Sequence, residues 1–249
     1  MSQNWVLLRG LTREQLHWGD FIENFERQMG VKAHTFDFPG VGLFHKDVSP
    51  NSIERISHHV FDQIVERGLQ KFSIIGHSLG AMVSAAILQQ YPRRINHAVF
   101  VNTSFANVSP WFHRLQIQNV SKMTRAFVDY TDILEREKII FDLTTNIHRD
   151  RSVIEQWVEI QKKHPVSKKT FLNQILAGSR FKYRKTPNAK VLLLASLQDR
   201  FVSSECSLNI AKYLGAPFKL HPQAGHDLTT DDPQWVIDQI QQWTSGQDL

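Results

Sequence analysis

Apolar positions along this chain fall into two alternating patterns. Short runs rich in β-branched and aromatic residues occur at residues 5–8 (WVLL), 33–36 (AHTF), 72–75 (FSII) and 98–101 (AVFV), each short enough to predict a buried strand. Between them, residues 19–29, 51–67 and 79–91 have the spacing of helices. Strand–helix–strand alternation implies a mostly parallel sheet covered on both faces. From about residue 104 to residue 187 the chain turns polar and helical and shows no convincing strand. Residues 153–163 (VIEQWVEIQKK), for instance, put Val153, Trp157, Val158 and Ile160 near helical spacing. The alternation then returns with a strand at 191–194, a helix at 204–214 and a strand at 218–220. A last helix opens at Asp232-Pro233, where Asp can cap and Pro suits the first helical position, and runs to about Trp243. The expected fold is α/β, with about six strands. The core is residues 1–104 and 188–249, interrupted by a helical cap over 105–187.

Composition narrows this picture modestly. A chain of 249 residues can bury one large core, and 41% hydrophobic residues suit an ordinary soluble protein. There is no basic segment followed by a long apolar run at the start, and no stretch of about 20 apolar residues, so neither a signal peptide nor a membrane span is expected. Cys206 is the only cysteine, so no internal disulfide can form, which suits the reducing cytoplasm. The net charge of +5 is concentrated: residues 109–187 hold 15 Lys/Arg against 8 Asp/Glu. Such a segment is either a solvated helical face or a field that attracts anionic substrates. It lacks the aromatic interleaving of nucleic-acid binders, so no nucleic-acid partner is expected.

The candidate chemistry begins at Gly76-His77-Ser78-Leu79-Gly80. As a bare G-x-S-x-G it is weak, but a predicted strand precedes it and a helix rich in small residues follows. That setting would turn the chain sharply and display the serine hydroxyl beside a helix N-terminus, with glycines where side chains would collide. A serine nucleophile needs a base, and the base needs an orienting carboxylate. Asp199 follows the strand at 191–194, and His226 lies in a Gly-His-Asp loop after the last strand. Both are at strand C-terminal ends, where α/β sheets bind ligands. The rival acids Asp227, Asp231 and Asp232 lie beside the histidine or in the helix-capping region.

With Leu7-Leu8-Arg9-Gly10-Leu11 resembling a strand followed by an HG-x turn, and Asp37-Phe38-Pro39-Gly40-Val41-Gly42 resembling a D-x-P-G-x-G loop, four ordered motifs are in place. Together they resemble the α/β-hydrolase superfamily, in particular its small capped bacterial esterase-like members. The resemblance implies an oxyanion hole made by the backbone N–H groups of Leu11 and Leu79. It also implies acyl transfer through Ser78, His226 and Asp199, with no cofactor and no metal. Trp18 and Phe21 suit the apolar face of the family's first helix. Three departures stand out: Arg9 replaces a common His, Ser196 replaces the usual Gly, and the chain starts at the strand carrying Trp5, so six strands are expected rather than eight.

The expected activity is hydrolysis of a small to medium carboxylic ester or thioester, with an anionic substrate favoured by the basic cap. The alternatives are C–C bond hydrolysis by the same triad and a ligand-binding protein without turnover. Serine at the elbow disfavours dehalogenase and epoxide-hydrolase chemistry, whose relatives carry aspartate there. His58 and His59 point in different directions on one helix and are expected at the surface, while His77 is expected to help packing. No H-E-x-x-H or spaced Cys/His cluster suggests a metal. The 37–42 loop lacks the spacing of a phosphate cradle. Trp111, Phe112, Phe127 and Trp157 are expected to pack between cap and core, the alternative for each being the lining of an acyl pocket.

Overall fold

Side chains alternate across a strand, and this sheet uses the alternation to fill two cores at once. The structure is a computed structural model that describes residues 3–119, 132–148, 150–184, 186 and 189–246. In β1 (Asn4–Leu8), Trp5 and Leu7 enter one apolar cluster while Val6 and Leu8 enter another. The same division separates Ile75 from Ile74 in β3 (Phe72–His77), Val99 and Val101 from Ala98 and Phe100 in β4 (Ile95–Val101), and Leu192 and Leu194 from Leu193 in β5 (Val191–Ser196). Continuous apolar runs are therefore stable only because helices cover both faces. On one face lie α1 (Phe21–Met29) and, just after the single turn α9 (Leu228–Asp231), the last helix, α10 (Pro233–Thr244); α1 and α10 supply Phe21, Phe25, Val236 and Ile240. On the other lie α2 (Ile53–Glu66), α3 (Leu79–Gln90) and α8 (Ser204–Leu214).

The sheet has six strands, all pairings parallel, in the order β2-β1-β3-β4-β5-β6, with β2 at Lys32–Thr35 and β6 at Phe218–His221. This is the fold class that the strand–helix alternation predicts. The chain runs outward from β1 to β2, then returns past β1 to build the other half. The direction of winding thus reverses between β1 and β3, whose ends meet where Leu8 pairs with Gly76. Such a switch point opens a crevice at the C-terminal edge of a parallel sheet. The helix ends follow their local chemistry: Asp232 accepts from Trp235 N–H at 3.0 Å with Pro233 at the first position, and Gly30 and Gly215 close α1 and α8 in the left-handed region.

Between β4 and β5 the described residues form α4 (Trp111–Arg114), α5 (Ile133–Thr144), α6 (Ser152–Lys163) and α7 (Lys168–Arg180). Ile140, Phe141, Leu143, Ile154, Trp157, Val158 and Ile160 make a third apolar cluster, against which Leu11 and Phe201 of the core pack. Trp157 is buried as expected, whereas Trp111 and Phe112 are 66% and 50% exposed and do not pack into the core. Apolar character alone does not bury a residue on a four-residue helix that has no second turn to anchor it. Phe127 lies outside the described residues. Among the described residues no helix is long and apolar enough to cross a membrane.

Candidate active site

β3 runs straight into α3 with no loop, and Ser78 takes the strain of that junction, with φ 55° and ψ −116°. A non-glycine residue there is costly and persists only when its surroundings hold it. Ser78 N–H donates to Val101 O at 2.8 Å, and Thr103 Oγ1 donates to Ser78 O at 2.9 Å, so β4 and the segment after it grip the turn. The flanking glycines are sterically required. A Cβ at Gly76 would lie 2.4 Å from Ala81 Cα, and one at Gly80 would lie 2.3 Å from Leu8 O. The chain thus turns sharply from strand to helix at Ser78, with no room for side chains at the flanking glycines.

The fold brings the three predicted side chains together from 148 positions apart. His226 Nε2 lies 3.0 Å from Ser78 Oγ, and His226 Nδ1 lies 2.7 Å from Asp199 Oδ2. The other carboxylate oxygen of Asp199 accepts from Phe201 N–H at 2.7 Å and Val202 N–H at 3.0 Å, which fixes the plane facing the imidazole. Each rival acid is occupied elsewhere. Asp227 pairs with Arg9, Asp232 caps α10, and Asp231 accepts from the backbone N–H groups of Gly225, Asn146, Ile147 and His148.

Leu79 is the first residue of α3, and Leu11 follows Gly10, where a Cβ would lie 3.2 Å from Ser78 Cβ. Among the described residues neither Leu11 N–H nor Leu79 N–H donates to a protein acceptor. Thr12, at φ 57°, bends the chain immediately after Leu11, and its N–H donates to Gln174 Oε1 at 2.9 Å. Helix α7 thus fastens the turn that carries Leu11. The two departures at Arg9 and Ser196 have structural roles. Arg9 Nη1 donates to Asp227 Oδ1 at 3.2 Å and to Thr229 Oγ1 at 3.0 Å, and its guanidinium lies 4.9 Å from the Trp18 ring centroid. Ser196 N–H donates to Asn102 Oδ1 at 2.8 Å, and Asn102 Nδ2 reaches Ser196 Oγ at 3.0 Å and His226 O at 2.7 Å. Asn102 itself sits at φ 47°. A serine at 196 therefore adds a hydroxyl to the clasp that holds the histidine loop.

Sequence reasoning missed several of these groups. His77 does more than pack: its Nε2 donates to His226 O at 2.7 Å, so two neighbours bind the carbonyl of the candidate base. Phe201 stacks on His226 with centroids 5.0 Å apart. Neither Phe201 nor Asn102 has a motif, and a positive φ at Asn102 is visible only in the fold. The 37–42 loop is no phosphate cradle, because the Asp37 carboxylate fills its centre and accepts from Gln15 N–H at 2.8 Å and Leu43 N–H at 3.0 Å. His58 is exposed as expected, but His59 is half-buried, edge-on to Phe44 at 4.6 Å.

Two buried histidines tie stability to pH. Burial pushes His77 from 6.5 down to about 3, opposed only in part by the nearby Asp227 carboxylate. His17 is held well below its ordinary value, first by burial and then by Arg13. A histidine with a depressed folded-state pKa stays neutral in the fold while the unfolded chain takes up a proton below about 6.5. Its contribution is complete above that pH and is lost as pH falls toward the folded value. The expected slope is about 1.4 kcal/mol per pH unit per histidine below 6.5. Burial raises Asp37 and Glu14, which act in the opposite sense. The readout is therefore a difference: urea midpoints of His77→Gln between pH 7 and 5 should fall less steeply than those of the wild type, and parallel slopes would contradict the assignment.

A family model described as "Alpha/beta hydrolase family" matches residues 5–239, and the chain belongs to that family. The 2-hydroxy-6-oxononadienedioate/2-hydroxy-6-oxononatrienedioate hydrolase of Escherichia coli K12 is 19% identical over 234 residues, covering 89% of this chain and 80% of that protein. The human 1-acylglycerol-3-phosphate O-acyltransferase ABHD5 is 29% identical over 96 residues, 37% of this chain but only 26% of that protein's length. Among solved structures, the enol-lactonase from Burkholderia xenovorans LB400 superposes with TM-score 0.78 at 14% identity, covering 98% of this chain and 92% of that one. A serine hydrolase from Cycloclasticus zankles gives TM-score 0.76 at 15% identity, with 99% and 91% covered. At these identities the structural likeness concerns the fold.

Proposed function

We propose that this chain is a serine hydrolase cleaving a small to medium carboxylic ester or thioester through an acyl-enzyme on Ser78. The observation that carries the reading is the hydrogen-bonded line Ser78–His226–Asp199 at a strained strand-to-helix junction. In this mechanism His226 Nε2 accepts the Ser78 proton as Oγ attacks the carbonyl carbon. Asp199, acceptor to Nδ1–H, holds the imidazole in the required tautomer and stabilises its positive form. The tetrahedral oxyanion forms beside Leu79 N–H and Leu11 N–H, both without acceptors among the described residues. The protonated imidazole then gives its proton to the leaving oxygen or sulfur. Water, deprotonated by His226, releases the acid and restores Ser78. The helices between β4 and β5 act as a cap, since their apolar cluster rests on Leu11 and on Phe201, which stacks on His226.

The test is a panel of p-nitrophenyl esters and thioesters of increasing acyl length, run beside labelling with a fluorophosphonate. Turnover with a single covalent adduct mapped to Ser78 is expected. No turnover together with no adduct would overturn the reading. Hydrolysis of a C–C bond by the same residues is the second reading, favoured by the extended match to the E. coli hydrolase. Cleavage of a vinylogous 1,5-diketone faster than any ester in the panel would select it.

A further inference from the structure

The turn after β1 carries polar atoms that ester hydrolysis does not use. Arg13 stands two residues beyond Leu11 and is 8% exposed. Its Nη1 donates to Glu137 Oε2 of α5 at 2.7 Å and lies 3.0 Å from His17 Nε2. Its guanidinium carbon is 4.3 Å from the Trp157 ring centroid on α6. Its Nη2 is buried and has no hydrogen-bond partner among the described residues. Gln174 adds a second such donor beside the same turn. Its Oε1 accepts from Thr12 N–H, which fixes the amide orientation, and its fully buried Nε2 has no partner among the described residues.

Buried donors are paired as a rule, and an unpaired guanidinium N–H is especially costly, so these two atoms call for an acceptor-rich partner. The protein's own carboxylate does not supply it: Glu137 is divided between Arg13 and Arg136, whose Nε donates to Glu137 Oε1 at 3.0 Å. The place is also suited to a substrate. Leu11 and Phe201 pack on the apolar cluster that contains Trp157, and Phe201 stacks on His226. Arg13, over the Trp157 ring, therefore borders the same apolar cluster on which the oxyanion turn and the neighbour of the candidate base rest. Three basic residues of the cap have other uses: Lys162 pairs with Glu159, Arg151 with Asp142, and Arg114 donates to the carbonyls of Gly178 and Ser179.

We propose that Arg13, with Gln174 beside it, recognises a carboxylate on the substrate, making the preferred substrate class the half-ester or half-thioester of a dicarboxylic acid. This inference takes its location from the proposed esterase site. It assigns anion recognition to a buried planar guanidinium rather than to the surface charge of the cap. A planar guanidinium suits a carboxylate better than an ammonium does, because its N–H groups match the spacing of the two oxygens.

The experiment measures binding and turnover separately. In the Ser78→Ala protein, monomethyl adipate is expected to bind at least about tenfold tighter than dimethyl adipate, read by titration calorimetry. Arg13→Met should abolish that preference. In the Ser78 protein, the ratio of kcat/KM for monomethyl adipate to that for dimethyl adipate should fall on the order of 10²-fold in Arg13→Met. Should Arg13→Met fail to fold by circular dichroism, Arg13→Lys keeps the charge and loses the fork, and the preference should drop about tenfold. Equal binding of the two esters overturns the proposal, as does a preference unchanged in Arg13→Lys. Preferential binding through Arg13 without turnover of any ester would retire the esterase reading and the half-ester substrate class with it, and leave carboxylate recognition by Arg13 standing.

Discussion

Ser78→Ala is expected to lower kcat for p-nitrophenyl butyrate by about 10⁶-fold, the cost of losing the nucleophile of such a triad in a comparable hydrolase. Stability should change little in the harmful direction, since alanine keeps the backbone and the Ser78 N–H to Val101 O bond does not involve the side chain. Asp199→Asn should cost about 10⁴-fold, as the amide can no longer accept from both Nδ1–H and the Phe201 and Val202 N–H groups and selects the wrong tautomer. The matched control is Asp232→Asn. Its carboxylate caps α10 and bonds His221 at 3.2 Å, so it should alter thermal stability with little effect on kcat. Initial rates on purified, folded variants check all three. A residual rate in Ser78→Ala within tenfold of wild type would show that the hydrolysis arises elsewhere.

What the sequence makes legible here is what is local. Each strand carries its own apolar run, and the elbow is encoded by five adjacent residues whose glycines have no room for a Cβ. Asp199 and His226 are legible because strand ends in a parallel sheet converge on one edge. The supporting contacts are not local and leave no pattern. Arg9 reads as a departure from a motif, yet its role depends on Asp227, 218 positions later. Thr12 depends in the same way on Gln174, and Ser196 on Asn102. Trp111 and Phe112 mislead in the opposite direction, since residue type sets a preference for burial and only packing decides it. The positive charge counted over residues 109–187 is a property of composition, while the buried Arg13 guanidinium belongs to the segment before them.

The Arg9–Asp227 pair should prove to be among the strongest single supports of the site. Both residues are buried, at 3% exposure each, and Asp227 directly follows His226. Burial by itself would raise the Asp227 carboxyl, but Arg9 beside it outweighs that effect and holds it well below the usual carboxylate range. A depressed carboxylate stabilises the fold above its unfolded pKa and loses that contribution as pH falls through the folded value. Asp227→Ala would leave the guanidinium buried without its counter-charge, and Arg9→Met would leave the carboxylate so. Each is expected to destabilise by about 3–5 kcal/mol, the range for breaking one side of a buried pair. Replacing both, as Arg9→Met with Asp227→Leu, removes both charges and should recover most of the loss, giving a coupling energy of at least about 2 kcal/mol in a double-mutant cycle. Urea unfolding at pH 7 measures the four corners. Because His226 is attached to Asp227 and its carbonyl is held by His77 and Asn102, the single variants should also lower kcat more than they raise KM. Single losses below 1 kcal/mol, or losses that simply add, would mean that Asn102 and His77 hold the histidine loop without help from the ion pair.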